Sequence, residues 1–197
     1  GGYVTGAVLL LVATVPALPA RLVSMIPVAL VLNIVVGQII GSVGIPLYLD
    51  STGTVLVAAL AGPWAGIATG VLSSLVWSAF NPSVLPFAAT SAAVGGLAGV
   101  AIKYGALKNI ATVLLSGAVI GIVVGMLAAP VAAFVYGGTA GVGTGAVVSL
   151  LREMGHSLLQ SVTLQSFISD PLDKALVMLL VWLVLKSLPK RTLAAFR

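Results

Sequence analysis

The chain has 197 residues, of which 60% are hydrophobic and 7% are charged, against about 25% charged residues in a typical soluble domain. So few polar residues cannot cover the surface of a soluble fold, and the composition excludes a soluble globular protein, a disordered tail and a typical nucleic-acid-binding protein. The formal net charge of +5 then indicates lysine and arginine in cytoplasmic loops, and the absence of cysteine excludes disulfides and thiolate metal sites.

The first segment is apolar and uncharged. Residues 3–19 predict a helix that ends at Pro16 and Pro19, because proline does not continue a helix. We therefore expect residues 1–20 to form an extra N-terminal helix and residues 21–197 to form a single membrane-embedded domain.

The stretch from Ser51 to Phe80 has two interpretations. It is either one long helix or a short hairpin of two helices broken at Gly62-Pro63, since proline disrupts a helix at the preceding residue. The hairpin places Arg21 on the cytoplasmic side and Asp50 on the outer side, which agrees with the positive-inside rule. We therefore expect the hairpin.

Other apolar runs predict the remaining membrane helices. Three of them, at 22–43, 83–102 and 110–134, are close to the roughly 20 residues that a transmembrane helix needs. Asp170-Pro171 is a helix-start signature and predicts that the last helix begins there. Basic residues follow that helix and indicate a cytoplasmic C-terminus.

Residues 137–169 differ from the rest of the chain. A glycine-rich start leads into a stretch of mixed polarity, which favours an outer-face loop with an amphipathic helix. The alternative is that this segment crosses the membrane as a further helix.

Polar and aromatic residues around the hairpin form the first group of candidate ligand contacts. Asp50 and Thr52 either cap the first hairpin helix or form a polar lip over a ligand pocket. Tyr48 and Trp77 either stack on a flat ligand or anchor the protein at the bilayer interface.

A second group lies in the last third of the chain. Arg152, Glu153 and His156 fall on one helical arc, and ionisable residues at membrane depth either pair with one another or meet a substrate. Asp173 and Lys174 either cap the last helix as a local pair or face the pocket.

Small residues recur at four-residue spacing, which allows helices to approach closely. The stripes are Gly37/Gly41, Gly62/Gly66/Gly70 and Gly117/Gly121/Gly125. They indicate packing within the chain, or contact with a partner subunit, for which Gly37/Gly41 is the candidate.

Motifs for enzymatic chemistry are missing. The sequence has no phosphate-binding P-loop, no G-x-S-x-G nucleophile elbow, and one histidine with no cysteine, which makes a zinc site implausible. We therefore expect a non-enzymatic protein without a metal or other cofactor.

Four segments together resemble a known family. Pro46 to Thr54 and Ala61 to Gly66 resemble the first loop and short hairpin of the substrate-binding S components of energy-coupling factor (ECF) transporters. Asp170 to Lys174 and Leu188 to Arg191 resemble the last helix of the same family, in a vitamin-transporter-like branch.

The resemblance implies an all-α integral membrane protein, a six-helix bundle that binds a vitamin-sized ligand near its outer face. It implies as partners a transmembrane coupling subunit and two ATPase subunits. By region, its ligand contacts correspond to Tyr48, Asp50, Thr52, Arg152, His156 and Lys174, and its coupling motif corresponds to Ala29, Asn33 and Gly37.

The leading hypothesis is a substrate-capture subunit of an ATP-driven importer in a prokaryotic plasma membrane. The alternative is a transmembrane module of related fold that senses a small ligand. A channel or secondary transporter is a weaker hypothesis, because the charged residues cluster at the ends of the predicted helices and form no relay across them.

Overall fold

The computed structural model describes residues 2–14, 24–138 and 141–189. These residues form eight α-helices and no β-strand. The helices are α1 Gly2–Thr14, α2 Met25–Ser42, α3 Thr52–Ala61, α4 Pro63–Ser78, α5 Ala88–Lys103, α6 Ile110–Tyr136, α7 Val142–Glu153 and α8 Leu158–Ser187. A 3-10 helix, Pro82–Phe87, leads into α5.

Three described segments are long and apolar enough to cross a membrane. They are Met25–Ser42, Pro82–Lys103 and Ile110–Tyr136, with mean hydropathies of 2.0, 1.7 and 2.5. The outer face of α2 is apolar as well, with Val28, Val31 and Val35 exposed. The expected all-α architecture is therefore present in the described residues, and its three long apolar segments are compatible with a membrane protein,.

The break at Gly62-Pro63 is present, as predicted. Gly62 has φ +87°, a left-handed conformation that glycine adopts without strain, and Pro63 occupies the first turn of α4, where its missing N–H is not needed. A Cβ on Gly66 would lie 2.7 Å from the Ala58 Cβ. Because these residues lie four positions on either side of Gly62, α3 and α4 fold back on each other as a hairpin.

The prediction that the last helix begins at Asp170 is wrong. The helix begins at Leu158 and runs for 30 residues, with Pro171 in its interior. Ser157 and Gln160 form a reciprocal capping box at its start, which satisfies the free N–H groups of the first turn. This earlier cap determines the start of the helix, and the Asp-Pro pair does not.

Close packing of α6 on α8 surrounds that interior proline. A Cβ on Gly117 would meet the backbone of Lys174 and Ala175, and one on Gly121 would meet the backbone of Asp170 and Pro171. Glycine at these positions therefore brings the two backbones into contact. For this stripe, the interpretation as packing within the chain is confirmed.

The region 137–169 contains two structures. Its first part is α7, a helix of 12 residues and about 18 Å in length, too short to cross a bilayer core of about 30 Å. Its second part, from Leu158 onward, is the start of α8. A Cβ on Gly143 would meet the backbone of Gly44 and Ile45, so α7 packs on the loop between α2 and α3.

The exposed lysines lie at the end of the bundle opposite the acids. The α3 helix begins beside Asp50 and ends at Gly62, and Gly99 of α5 packs against Pro63 at this far end. Lys103 follows Gly99 by one turn and ends α5. Lys186 belongs to the same end, because it stacks on Trp182, whose indole N–H donates to the carbonyl of Leu107.

The N-terminal segment packs on the hairpin side of the bundle. Leu11 of α1 contacts the apolar cluster of Val71, Ala88 and Ala92. Several residues named in the predictions lie outside the described residues, namely Pro16 and Pro19 at the predicted helix end, Arg21 with its predicted cytoplasmic position, and the basic residues Lys190, Arg191 and Arg197.

Candidate ligand-binding site

A cavity of about 320 Å³ lies between the helices at the acidic end of the bundle. This volume is near the lower limit of the range of about 300–1,000 Å³ typical of small-molecule sites. Its walls combine aromatic, charged and amide side chains, among them Tyr48, Asp50, Trp77, Gln165, Asp170 and Lys174. Four of these six, namely Tyr48, Asp50, Trp77 and Lys174, are residues that the sequence nominated.

Lys174 lies at the centre of the polar residues around the cavity and is buried. Its ammonium group donates to Asp173 Oδ2 and to Ser51 Oγ at 3.1 Å, and it lies 3.8 Å from Asp50 Oδ1. A buried ammonium is stable only when charge partners and hydrogen bonds replace its water. Lys174 therefore connects α8 to the start of α3.

Asp173 holds the loop that precedes α3. Its Oδ1 accepts the backbone N–H groups of Tyr48 and Leu49 at 2.8 and 2.7 Å. Leu49 has φ +49°, a left-handed conformation that non-glycine residues seldom adopt without support from their surroundings. The two bonds to a fully buried carboxylate supply that support.

Tyr48 also joins this loop to α7. Its hydroxyl donates to Thr144 Oγ1 at 3.1 Å, and Thr144 in turn donates to the carbonyl of Gly141. Burial raises the pKa of the Tyr48 phenol above its ordinary value. The phenol therefore remains neutral and available as a donor over the physiological pH range.

Trp77 and Asp50 meet at one glycine. A Cβ on Gly37 would lie 2.5 Å from the Trp77 ring and 2.8 Å from the Asp50 Cβ, so this position has no room for a larger residue. Loss of water around Asp50 raises the pKa of its carboxyl, and the nearby Lys174 opposes that shift. An aromatic face and a carboxylate thus share one wall of the cavity.

Asn33 of α2 acts as the cap of α3. Its Oδ1 accepts the N–H groups of Gly53 and Thr54 at 2.7 and 3.3 Å, and its Nδ2 donates to the hydroxyls of Thr54 and Ser73. Of the two interpretations of the segment around Asp50 and Thr52, the local cap is not formed. Ser51, at the N-cap position, makes no side-chain cap bond, and its hydroxyl accepts from Lys174.

Asp170 and Gln165 line the cavity, and the sequence analysis missed both as site residues. Asp170 is buried, and a Cβ on Gly125 would lie 2.7 Å from its Oδ2, so the glycine leaves room for the carboxylate. Gln165 is 1% exposed, and its Nε2 has no hydrogen-bond partner. Gln165 could have been found from the sequence, because Ser161, Gln165 and Ser169 are spaced four residues apart, which places three polar groups on one helical face.

Other nominated residues lie away from the cavity walls. Arg152, Glu153 and His156 are exposed around the end of α7, and His156 contributes to a separate shallow surface depression. The predicted helical arc is wrong, because α7 ends at Glu153 and the chain turns at Gly155, with φ +93°, so that His156 lies beyond the helix. The face that α7 buries is formed by Gly143, Thr144 and Val148. Thr52 does not line the cavity either, because its hydroxyl donates to the carbonyl of Leu49.

The expected partner-contact stripe on α2 faces the interior. Ala29, Asn33 and Gly37 are buried, and the Ala29 backbone lies directly against Gly53. A partner subunit cannot reach these three residues in this conformation. Gly41, which is half-buried, lines the cavity.

No metal site accompanies these residues. In the described part of the chain, no three His, Cys, Asp or Glu side chains are grouped so that they could hold a metal ion. Comparisons with family models, curated proteins and solved structures give no match for this chain. The function is therefore argued from the cavity itself.

Proposed function

We propose that the chain is the substrate-capture subunit of an ATP-driven importer of the ECF type, and that it binds a vitamin or related micronutrient at the outer face of a prokaryotic plasma membrane. The cavity at the acidic end carries this proposal, because it combines buried polar groups with aromatic walls. Such a combination of an apolar pocket and a few convergent polar groups is typical of small-molecule sites.

Charge distribution supports the orientation. Lys103, Lys108 and Lys186 are exposed at the end away from the cavity, and cytoplasmic loops of membrane proteins are enriched in lysine and arginine. With that end in the cytoplasm, the cavity faces the exterior. The C-terminal end of α8 is then cytoplasmic.

The loop that lines one side of the cavity supports capture rather than free passage. The loop from Gly44 to Ser51 is held by Asp173 from α8 and by Thr144 from α7. Only a few hydrogen bonds fasten this segment, so a ligand that competes for them can change its position. Binding of substrate and movement of the loop are thereby coupled in the proposed mechanism.

The energy source lies outside the chain. The sequence has no P-loop, so ATP hydrolysis belongs to two partner ATPases, and a transmembrane coupling subunit connects them to this chain. In this proposal the chain captures the ligand, and the partner subunits supply the energy for transport.

Ligand binding tests the proposal directly. Purified protein in detergent is screened for thermal stabilisation by a panel of vitamins and their precursors. We expect at least one compound to bind with a Kd between submicromolar and micromolar values. We expect Asp50→Asn to weaken binding by about tenfold or more, which corresponds to about 1.4 kcal/mol.

Glu153→Gln is the matched control, since it removes an exposed carboxylate outside the cavity. Uptake of the identified compound in cells that express the coupling subunit and ATPases then distinguishes transport from sensing. Binding without ATP-dependent uptake favours the sensor alternative. A complete absence of stabilisation across the panel contradicts ligand capture.

A further inference from the structure

We infer that the ligand of this cavity is a small organic cation with a flat ring; this inference rests on the proposed capture function and specifies the class of substrate. The argument starts from the charges in and around the cavity. Lys174 pairs with Asp50 and Asp173 and lines the cavity together with Asp50 and Asp170, and it is the one basic residue among the described cavity-lining residues. Three carboxylates and one ammonium leave a formal charge of −2.

The ammonium of Lys174 is already committed. It donates to Asp173 and to Ser51 and is 3.8 Å from Asp50. Asp173 uses its other oxygen to accept two backbone N–H groups, so this carboxylate is well satisfied. The uncompensated charge therefore rests on Asp50 and Asp170, and both of these residues line the cavity.

Asp170 has no cation of its own. Among the described residues, none places a basic nitrogen within ion-pair distance of its carboxylate, although the residue is only 6% exposed. A carboxyl removed from water either takes up a proton or, to stay ionised, needs a compensating positive group. A cationic ligand in the cavity supplies one.

Gln165 provides independent support for a bound ligand. Its side-chain nitrogen is buried without a partner while the residue lines the same cavity. Buried donors are almost always paired in native proteins, so this donor calls for an acceptor on the ligand. The ligand therefore carries an acceptor atom in addition to its positive charge.

Two further observations indicate that the cationic ligand is organic and carries a flat ring. Trp77 meets Asp50 at Gly37, so a flat cation that stacks on the indole has a carboxylate beside it, and aromatic faces attract cations. An inorganic divalent ion does not fit, because the described residues contain no group of three metal ligands. A protonated or quaternary nitrogen on a flat ring matches both features.

Three isosteric probes test the charge of the ligand. Benzamidine is cationic, benzamide is neutral and benzoate is anionic, and their binding is measured by quenching of tryptophan fluorescence, with Trp77→Phe to identify the signal. We expect benzamidine to bind at least about tenfold more tightly than benzamide, and benzoate to bind most weakly, because charges at a desolvated site interact strongly.

Asp170→Asn keeps the size of the side chain and removes its charge, and Glu153→Gln removes a charge outside the cavity as the matched control. We expect Asp170→Asn to reduce the preference for benzamidine over benzamide to about threefold or less, and Glu153→Gln to leave it unchanged. An unchanged preference in Asp170→Asn contradicts the role of this carboxylate. The wild-type comparison decides the inference even if Asp170→Asn fails to fold.

The outcomes separate this inference from the proposed function. If benzamide or benzoate binds as tightly as benzamidine, the ligand is not selected for positive charge, while ligand capture stands. If none of the three probes binds, the inference is wrong, and the wider vitamin screen still judges capture on its own.

Discussion

Replacing Asn33 with alanine tests whether α2 organises the start of α3. The Asn33 side chain is fully buried and makes four hydrogen bonds, two to backbone N–H groups of α3 and two to hydroxyls. The substitution leaves the N–H groups of Gly53 and Thr54 without an acceptor. The hydroxyl oxygens of Thr54 and Ser73 lose only the donor Nδ2 of Asn33, and because their own O–H groups can still donate, these residues lose less.

The expected loss of stability follows from these two N–H groups. A buried donor without a partner costs about 1–3 kcal/mol, whereas interhelical hydrogen bonds measured in a membrane protein average about 0.6 kcal/mol. Both N–H groups belong to the first turn of α3, where no intrahelical acceptor exists. We therefore expect Asn33→Ala to lower the free energy of unfolding by about 2–4 kcal/mol.

SDS titration in detergent micelles measures this loss, with Gln38→Ala as the control. Gln38 is an amide on the same helix, but it is exposed, and such surface substitutions usually change stability by less than about 0.5 kcal/mol. If Asn33→Ala is as mild as Gln38→Ala, Asn33 does not cap α3 and the reasoning fails. We also expect Asn33→Ala to weaken ligand binding, since Thr54 and Ser73 line the cavity.

Three further predictions use other contacts of the site. Gly53→Ala should lower the midpoint of SDS unfolding, because the new Cβ overlaps the backbone of Ala29. Gly41→Ala is the control and should leave the midpoint unchanged, because the space around Gly41 is open. Equal midpoints for the two variants refute the close packing at Gly53. Asp173→Ala should speed amide hydrogen exchange at residues 48–49 by about tenfold or more, because both N–H groups lose their acceptor, and unchanged rates contradict the anchor. Trp77→Leu should weaken binding of a ring-containing ligand by about threefold or more, measured by thermal shift, and an unchanged Kd removes Trp77 from the site.

The break at Gly62-Pro63 was predictable because its signal is local, whereas charge placement favoured the hairpin over one long helix. Proline at position 63 removes a backbone donor whatever the surrounding fold, and the glycine before it supplies the left-handed turn,. The start of the last helix was missed although its signal is equally local. Both Ser157-x-x-Gln160 and Asp170-Pro171 are signatures of a helix start. The prediction used the second, whereas the helix of 30 residues begins at the first and continues through Pro171.

The composition of the cavity could be predicted only in part. Tyr48, Asp50 and Lys174 stood out as rare polar groups in an apolar sequence, and all three line the cavity. Arg152 and His156 stood out for the same reason, yet they are exposed. A polar residue that is rare in an apolar sequence needs a polar environment, which can be the cavity or the solvent. The face that α7 turns inward is set by its packing against the loop at Gly44, and this packing cannot be predicted from the sequence of α7.

Asn33 shows a different limit. An amide in the middle of an apolar helix indicates an internal partner, so its burial could be inferred from the sequence. The identity of that partner depends on the close approach of α2 to α3 at Gly53, which no spacing within either helix reveals. The same contact turns the small-residue stripe inward, where the sequence analysis expected a partner subunit.

The three acids around the cavity differ in what they contribute to the fold. Asp173 stabilises the bundle, because its oxygens bind two backbone N–H groups and Lys174. Asp170 is buried without an ion-pair partner among the described residues, so its burial opposes folding. Asp50, whose side chain is 34% exposed, has a looser pair with Lys174 at 3.8 Å. A ligand that compensates these two charges removes that opposition, and the stabilisation it produces includes this gain as well as its own contacts. Thermal stabilisation is for this reason a sensitive readout for the cation that the cavity is proposed to bind.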